Sequence, residues 1–454
     1  MKQFKAYTLI VALTMFLYTS NAQETNKTSF SLQEAIDYGL KNSPGYKSAE
    51  LDVENANYRR KEITGLGLPQ VTGSFDVKKY LSIPVQVIPT EAFGGPPGGY
   101  TTVQFGVPYN GTAGLNASQL IFSSDYIFGL KAAKEYMNLA RMSVTNSKSQ
   151  MVSQISKAYY NVMINKDRIK LLEANVTRLK KIYEETKAFN QQGFVELIDV
   201  ERLEVAYNNL NTEKDKVLRL IGMSEMMLKF QMGYTLSNPI VVSDSLNMRS
   251  EEFQELAAGK MDISQRPDYI LLQSQQSLLD MDLKSKKWGY LPTVAAYGAY
   301  QYTTQRIGPN IFESDKSNPI KQWYKVALVG VTLNLNIFDG FQRHNKIQQA
   351  RIASTKNNYA LKTLEMAAEL EVNVATISYN NAYFTLQSNK RNMELAQHVV
   401  DVAQKKYTNG VGSNIEVVTA ETSLKEAQTN YYNAVFDMLV AKVDYQKALG
   451  TLVK

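Results

Sequence analysis

The chain has 454 residues, a formal net charge of +7, two histidines and no cysteine. The lack of cysteine excludes disulfides, a lipid anchored on a cysteine and cysteine-ligated zinc sites. The modest charge comes without a patch of basic and aromatic residues, which argues against a nucleic-acid partner. Both histidines, His344 and His398, lie in helical patterns, so we expect no metal and no cofactor.

The first 22 residues have the pattern of a secretory signal peptide. Lys2 and Lys5 precede an apolar stretch over residues 6–18, which ends at the small-residue pattern Ser20-Asn21-Ala22. The stretch is too short to span a bilayer stably, so we expect cleavage after Ala22. Beyond it the sequence has no apolar run of transmembrane-helix length, which leaves a barrel as the spanning structure.

The rest of the chain contains an internal repeat. Corresponding motifs recur in the same order, 216 to 223 residues apart. The matched pairs are Gly114 with Gly330, Gly193 with Gly410, Gly233 with Gly450, and Leu68-Pro69 with Leu291-Pro292. We therefore predict a first structural repeat over 23–233, a connector over 234–265 and a second repeat over 266–454.

Each repeat begins with a helical approach, over 31–63 in the first repeat and 266–288 in the second. Ser31 followed by Glu34 is a capping-box start, and Pro44 marks a break between two helices. The Leu-Pro pairs that follow predict the end of each approach.

A pair of strands then follows in each repeat, over about 68–122 and 291–338. Apolar and polar residues alternate there, which is typical of strands with one lipid-facing and one wet face. The clearest apolar rows are Val71, Gly73, Phe75, Val77, Leu81 and Ile83 in the first repeat, and Val329, Val331, Leu333, Leu335 and Ile337 in the second. The same alternation also fits a soluble sandwich or an amphipathic hairpin on a core.

Two segments between the strands, 84–100 and 307–322, have the composition of exposed loops. Aromatic residues cluster around the strands, as in the interfacial girdle of a membrane barrel. Four strands cannot close a barrel, because about eight is the smallest workable number. A homotrimer would supply twelve.

Long helical patterns run from Leu130 to Gly193 and from Phe341 to Gly410. Each corresponds to about 90 to 105 Å at 1.5 Å per residue, and its apolar residues step by three and four as in a coiled coil. The segments 191–193 and 408–410 predict tight turns that begin a returning helix. Each repeat should therefore end in a helical hairpin.

In order, spacing and duplication, these motifs resemble the TolC-like outer-membrane factor family. The most specific segments are 193–200 and 410–417 at the two turns, together with the strand-to-helix junction 336–340. The resemblance implies a mixed α and β membrane protein, in which a trimeric 12-stranded outer-membrane barrel continues into a long α-helical coiled-coil barrel in the periplasm. Its partners would be outer-membrane lipid, a periplasmic adaptor protein and an inner-membrane transporter.

The resemblance also implies roles for particular residues. Adaptor contacts are expected at the turns, on Gln192, Gly193, Phe194, Asn409, Gly410 and Val411. Glu416 matches the first of two acidic positions that narrow the tunnel in some family members. The second acidic position is Thr419 here, and a basic latch residue is replaced by Gly412. An alternative role for Glu416 is that of a surface carboxylate favoured by the helix N-terminus.

We therefore predict a passive exit duct of a tripartite efflux system and no enzymatic activity, since no nucleophile–base pair, metal cluster or phosphate loop is present in the sequence. An alternative is the outer-membrane duct of a type I protein secretion system. A coiled-coil envelope spacer without a conducting role is a third possibility.

Overall fold

A computed structural model describes residues 28–245, 253–256, 262–315 and 317–453. The predicted signal peptide and parts of the predicted connector lie outside these residues. In chain order the elements are β1 Ser29–Phe30, α1 Leu32–Asn42, α2 Pro44–Gly65, β2 Gln70–Lys79, β3 Val85–Pro89, β4 Tyr100–Gln104, β5 Tyr109–Phe122, α3 Ser124–Gln191, α4 Leu197–Met232, β6 Val241–Val242, α5 Pro267–Trp288, β7 Thr293–Arg306, β8 Tyr324–Asn334, α6 Gln342–Thr408 and α7 Asn414–Ala448. Among the helices of these residues, none combines the length and apolar composition needed to cross a membrane.

The described residues divide into two compact units, and each unit takes segments from both halves of the chain. The first unit holds residues up to 49, then 144–267 and from 365 onward, and the second holds 50–143 and 268–364. These units alternate along the chain, whereas the predicted repeats follow one another. The units therefore do not test the predicted repeat boundaries, which stay a prediction.

The second unit is built on a four-stranded antiparallel sheet in the order β2-β5-β7-β8. Side chains directly opposite each other share a face, and the register places the predicted apolar rows, as far as the strands extend, on one face of the sheet. Apolar residues also lie on the other face, among them Val326 and Leu328 of β8. Val71 lies opposite Ala117, and Val294 lies opposite Leu333, on the apolar face. The other face carries a hydrogen-bonded row, in which the Gln301 amide donates to Asn116 over 2.7 Å and Asn116 donates to Ser74 over 3.2 Å.

Two glycines matched by the repeat lie on the polar face, where the strands approach closely. Gly114 is opposite Gln301, and a Cβ at 114 would come within 2.6 Å of the Gln301 Cα. Gly330 is opposite Tyr297, and a Cβ there would come within 2.7 Å of the tyrosine ring. The repeated glycines therefore leave room for β7, which lies between the two strands that carry them.

The predicted loop over 84–100 is wrong in part. It contains β3, which pairs with β4 in a separate two-stranded hairpin, and a short 3₁₀ turn over Thr90–Phe93. The predicted rows are also too long, because β2 ends at Lys79 and β8 ends at Asn334. Leu81 and Ile83 therefore do not continue β2, and Leu335 and Ile337 do not continue β8. A strand this short gives too few residues for a recognisable alternation, so the sequence beside the Gly-Pro run does not predict β3. Only its pairing with β4 in the structure identifies it as a strand.

The helices agree closely with the sequence. The capping box is formed, with Ser31 N–H donating to Glu34 Oε2 over 2.9 Å and Glu34 N–H donating to Ser31 Oγ over 3.3 Å. The two long helices, α3 and α6, span 68 and 67 residues. Sustained amphipathic packing is what makes helices of this length stable.

The first unit has two large apolar clusters and a small third one of Val372, Ala375 and Ala448. One surrounds the short parallel pair of β1 and β6 and includes Phe30, Ile155, Tyr159 and Met232. The other takes residues from α3, α4, α6 and α7, which therefore pack as a four-helix bundle around a shared core. Its members include Leu179, Leu203, Val400 and Leu424. This bundle holds both predicted hairpin turns.

Candidate functional site

The two hairpin turns have the same backbone geometry. Gly193 and Gly410 adopt left-handed conformations, with φ of 79° and 74°. In each turn the residue after the glycine donates its N–H to the carbonyl five positions earlier, from Phe194 to Phe189 and from Val411 to Lys406, both over 3.0 Å. This is the hydrogen bonding of a Schellman motif, which ends a helix where glycine follows it.

The side chains after the two glycines are unusually exposed. In a Schellman motif an apolar residue at this place commonly packs back on its own helix. Here Phe194 is 74% exposed and Val411 is 75% exposed. Beside them, Leu197 and Ile415 in the first turns of α4 and α7 are exposed as well. The predicted adaptor-contact residues thus lie at two turns with an apolar surface.

The structure joins the two turns through a buried amide. Asn414 donates from Nδ2 to the carbonyl of Asp199 over 2.6 Å, although the two residues are 215 positions apart. Further along the bundle, the hydroxyls of Thr186 and Tyr407 lie 2.7 Å apart. The turns of the two repeats therefore form one continuous end of the bundle.

Glu416, the predicted constriction residue, lies in the first turn of α7. Its backbone N–H donates to the Oγ of Ser413, the N-cap residue, over 3.4 Å. Its carboxylate lies 3.2 Å from Nζ of Lys406, and both side chains are about half exposed. The charge of Glu416 is therefore partly balanced by a lysine at the end of α6, in addition to the helix N-terminus.

A basic latch residue would not fit at the position of Gly412 without a rearrangement of the turn. A Cβ at this position would lie 2.8 Å from the Cβ of Lys406 and 3.0 Å from its carbonyl carbon. Thr419 lines an open groove of about 510 Å³ between α6 and α7, together with Glu416 and His398. The groove is therefore lined by one acidic side chain, Glu416, together with Lys406, His398 and the neutral Thr419.

A buried ion pair connects α3 to α7 below the turns. Arg178 donates to both carboxylate oxygens of Glu421, over 2.7 and 3.0 Å, and only 5% of the Glu421 side chain is exposed. Next to it, Asn175 donates to Gln428 over 2.7 Å and accepts from Arg178 over 2.9 Å. Every polar group named here has a partner, so the cluster can be buried at low cost.

Among the described residues of the first unit, Tyr159 has a hydroxyl whose pKa is strongly shifted by its surroundings. Its hydroxyl donates to the Phe30 carbonyl over 3.0 Å and accepts from the Asp244 N–H over 3.3 Å. Burial raises the pKa of this tyrosine well above its usual value, with the nearby Asp244 carboxylate contributing in the same direction. Burial likewise raises the pKa of Tyr432 to about 12.

Sequence reasoning did not identify the Lys406–Glu416 and Arg178–Glu421 pairs. The first spans a turn of predictable geometry, so the spacing of ten residues could have indicated it. The second joins residues 243 positions apart, and no local pattern points to it. Within the described residues there is no group of three histidine, aspartate or glutamate side chains able to hold a metal ion.

Comparisons with known proteins agree with this architecture. Residues 274–451 match the model of the family described as Outer membrane efflux protein. The chain is 20% identical over 343 residues to the Outer membrane protein TolC of Vibrio cholerae, which covers 75% of this chain and 77% of TolC. It is 21% identical over 425 residues to the Probable efflux pump outer membrane protein TtgC of Pseudomonas putida, which covers 92% of this chain and 83% of TtgC.

Among solved structures, that of CusC aligns with a TM-score of 0.73 at 14% identity, covering 94% of this chain and 95% of CusC. The comparisons confirm the predicted resemblance to the TolC-like family and the mixed α and β fold class. TolC and TtgC, which this chain resembles, are both named as outer membrane proteins.

Proposed function

We propose that this chain, which carries an Outer membrane efflux protein domain over residues 274–451, is the exit duct of a tripartite efflux system. In this proposal it is a passive channel without catalytic activity. A periplasmic adaptor couples it to an inner-membrane transporter, and that transporter supplies the energy.

The four-stranded sheet carries this proposal. Among the described strands, β2 and β8 each pair with a single neighbour, so the sheet of these residues ends in two free edges. A membrane-spanning sheet has to close, because unpaired backbone groups are costly in lipid. Three chains joined edge to edge would give twelve strands with the apolar rows outside and the row of Ser74, Asn116 and Gln301 facing the lumen.

The exposed hairpin turns support the adaptor contact. Phe194 and Val411 project from two turns that Asn414 holds together, so one adaptor could contact both repeats of a chain. Glu416 is the proposed constriction residue, present in three copies in the trimer, where its carboxylates would favour cations over anions.

The decisive experiment is a planar-bilayer recording combined with the mass of the purified protein. Discrete conductance from a trimer supports the duct, whereas a monomer or a trimer without conductance contradicts it. The coiled-coil spacer predicts the latter result.

Deletion of the gene separates efflux from protein secretion. Increased susceptibility to toxic small molecules supports efflux. Unchanged susceptibility with the loss of a secreted protein would instead assign the duct to a type I secretion system. Site-specific crosslinking from Phe194 and Val411 would identify the adaptor, and the exposed Tyr359 of α6, which lies far from both turns, is the control position.

A further inference from the structure

The apolar face of the four-stranded sheet carries two lysines at the end where β2 stops and β8 starts. Lys79 of β2 lies opposite Tyr109, and Lys325 of β8 lies opposite Tyr302. In each strand the lysine ends a row of apolar or small residues, at the strand end that is remote from the helices. These rows are Val71, Gly73, Phe75 and Val77 on β2, and Ala327, Val329, Val331 and Leu333 on β8.

Both lysines contact tyrosine rings. The Nζ atom of Lys325 is 4.8 Å from the ring centroid of Tyr300, and Nζ of Lys79 is 5.5 Å from that of Tyr109. The hydroxyls of Tyr300 and Tyr302 lie 3.3 Å apart. A ring face attracts an ammonium group without neutralising it, so the charge stays available beside two hydroxyl groups that can donate hydrogen bonds.

Neither lysine has a carboxylate within 4.0 Å among the described residues. In contrast, Lys78, the neighbour of Lys79 on the polar face, lies 3.1 Å from Asp76 Oδ1. Arg306, which is opposite Tyr109, is buried and donates to the carbonyls of Ile320 and Glu313 over 2.7 and 2.6 Å. The apolar face therefore ends in two lysines whose positive charge is not compensated by an acidic side chain.

We propose that Lys79 and Lys325 bind the phosphate groups of the acylated glycolipid in the outer leaflet of the membrane. The acyl chains lie along the apolar rows, and the tyrosine hydroxyls lie at the level of the headgroups. An apolar row that ends in cations and interfacial aromatics is complementary to an amphiphile with fatty acyl chains and an anionic headgroup. This inference rests on the proposed function, which directs the helices to the periplasm and the opposite end of the sheet to the exterior.

The test is native mass spectrometry of the full-length protein in detergent, with added diphosphorylated lipid A. K79Q and K325Q remove one charge each and keep a long polar side chain, and K78Q is the matched control on the polar face. We expect affinity for lipid A to fall about five-fold for each lysine and about 25-fold for both, and to be unchanged in K78Q.

Three results would overturn the proposal: equal binding by the wild type and the double variant, equal binding of dephosphorylated lipid A, and equally tight binding of phosphatidylglycerol with the same dependence on the lysines. The last result would assign the surface to an ordinary phospholipid. Conductance of the same preparations tests the duct separately. If the protein conducts but binds lipid A equally well without the two lysines, only the lipid site is disproved. If lipid A binding depends on the lysines but the protein forms no channel, only the duct is disproved.

Discussion

Glu416 and Lys406 form a pair whose two members should affect ion selectivity in opposite directions. Because the ion pair is half exposed, it contributes only about 0 to 1 kcal/mol to stability. E416Q should lower the preference for cations over anions, and K406Q should raise it by leaving the carboxylate unbalanced. Reversal potentials under a salt gradient measure this effect.

The matched control for this pair is D199N, since Asp199 occupies the equivalent position in the first repeat and lies 3.5 Å from Arg202. We expect D199N to change the reversal potential less than E416Q does. Equal reversal potentials in the wild type, E416Q and K406Q would remove Glu416 as the constriction residue.

Glu421 should matter for stability, in contrast to Glu416. E421Q leaves the guanidinium of Arg178 with a neutral partner in a mostly buried site, which should destabilise the bundle by about 3 kcal/mol. E185Q, which disrupts an exposed pair with Lys181 at 3.9 Å, should cost less than about 0.5 kcal/mol. Thermal unfolding followed by circular dichroism compares the two, and a similar midpoint for both variants would contradict the structural role of the buried pair.

Tyr159 makes the first unit sensitive to alkaline pH. Its pKa is raised in the folded protein, so the folded state holds the phenolic proton more tightly than the unfolded state does. The resulting stability is fully present below the ordinary tyrosine pKa of about 10 and is lost as the pH rises above it. Thermal midpoints measured between pH 8 and pH 11 should therefore fall.

The variant Y159F should reduce this pH dependence, although Tyr432 still contributes to it. It should also lower the midpoint at pH 8, because it removes the hydrogen bond to the Phe30 carbonyl. Y359F, at an exposed tyrosine in α6, is the control and should leave the profile unchanged. An identical slope in the wild type and Y159F would show that another group controls alkaline unfolding.

At the scale of the elements, the hairpin turns depend on the left-handed conformation of their glycines. G193A should destabilise the first hairpin by about 1 kcal/mol or more, because alanine is strained at φ of 79° although nothing lies within 4 Å of an added Cβ. G222A is the matched control. Gly222 also has open space around it but lies inside α4, where alanine should stabilise the helix by about 0.5 to 1 kcal/mol. Opposite shifts in the thermal midpoint are expected, and a stabilising G193A would contradict the turn geometry.

At the scale of the whole molecule, the two free sheet edges should meet between different chains. The sequence has no cysteine, so any disulfide that forms must come from the engineered cysteines. One cysteine on β2 and one on β8, introduced along the polar rows at Thr72 and Thr332 and at neighbouring positions of the same rows, should give disulfide-linked dimers and trimers. The two edges of one chain are separated by β5 and β7, so the bond has to form between chains.

Each single-cysteine variant is the control, because a three-fold arrangement brings the β2 edge to the β8 edge and not to its own copy. Non-reducing electrophoresis reads the result. If no register of the double variant yields crosslinked chains, edge-to-edge closure is wrong.

The sequence alone determined the features that depend on neighbours a few residues apart. The alternation of β2 and β8, the capping box at Ser31, the long amphipathic helices and the glycine turns at 193 and 410 all follow from local rules of period, capping and backbone conformation. They were sufficient to predict the fold class and the position of both turns. The short strand β3 was missed because five residues give too weak a period.

Only the tertiary structure decided which side chains meet. It paired Glu416 with Lys406, joined the two turns through Asn414, and placed Arg178 against Glu421. The last two contacts join helices that lie far apart in the sequence, so their partners depend on packing that no local pattern encodes. Glu416 and Lys406 are ten residues apart across one turn, and only their distance had to come from the structure.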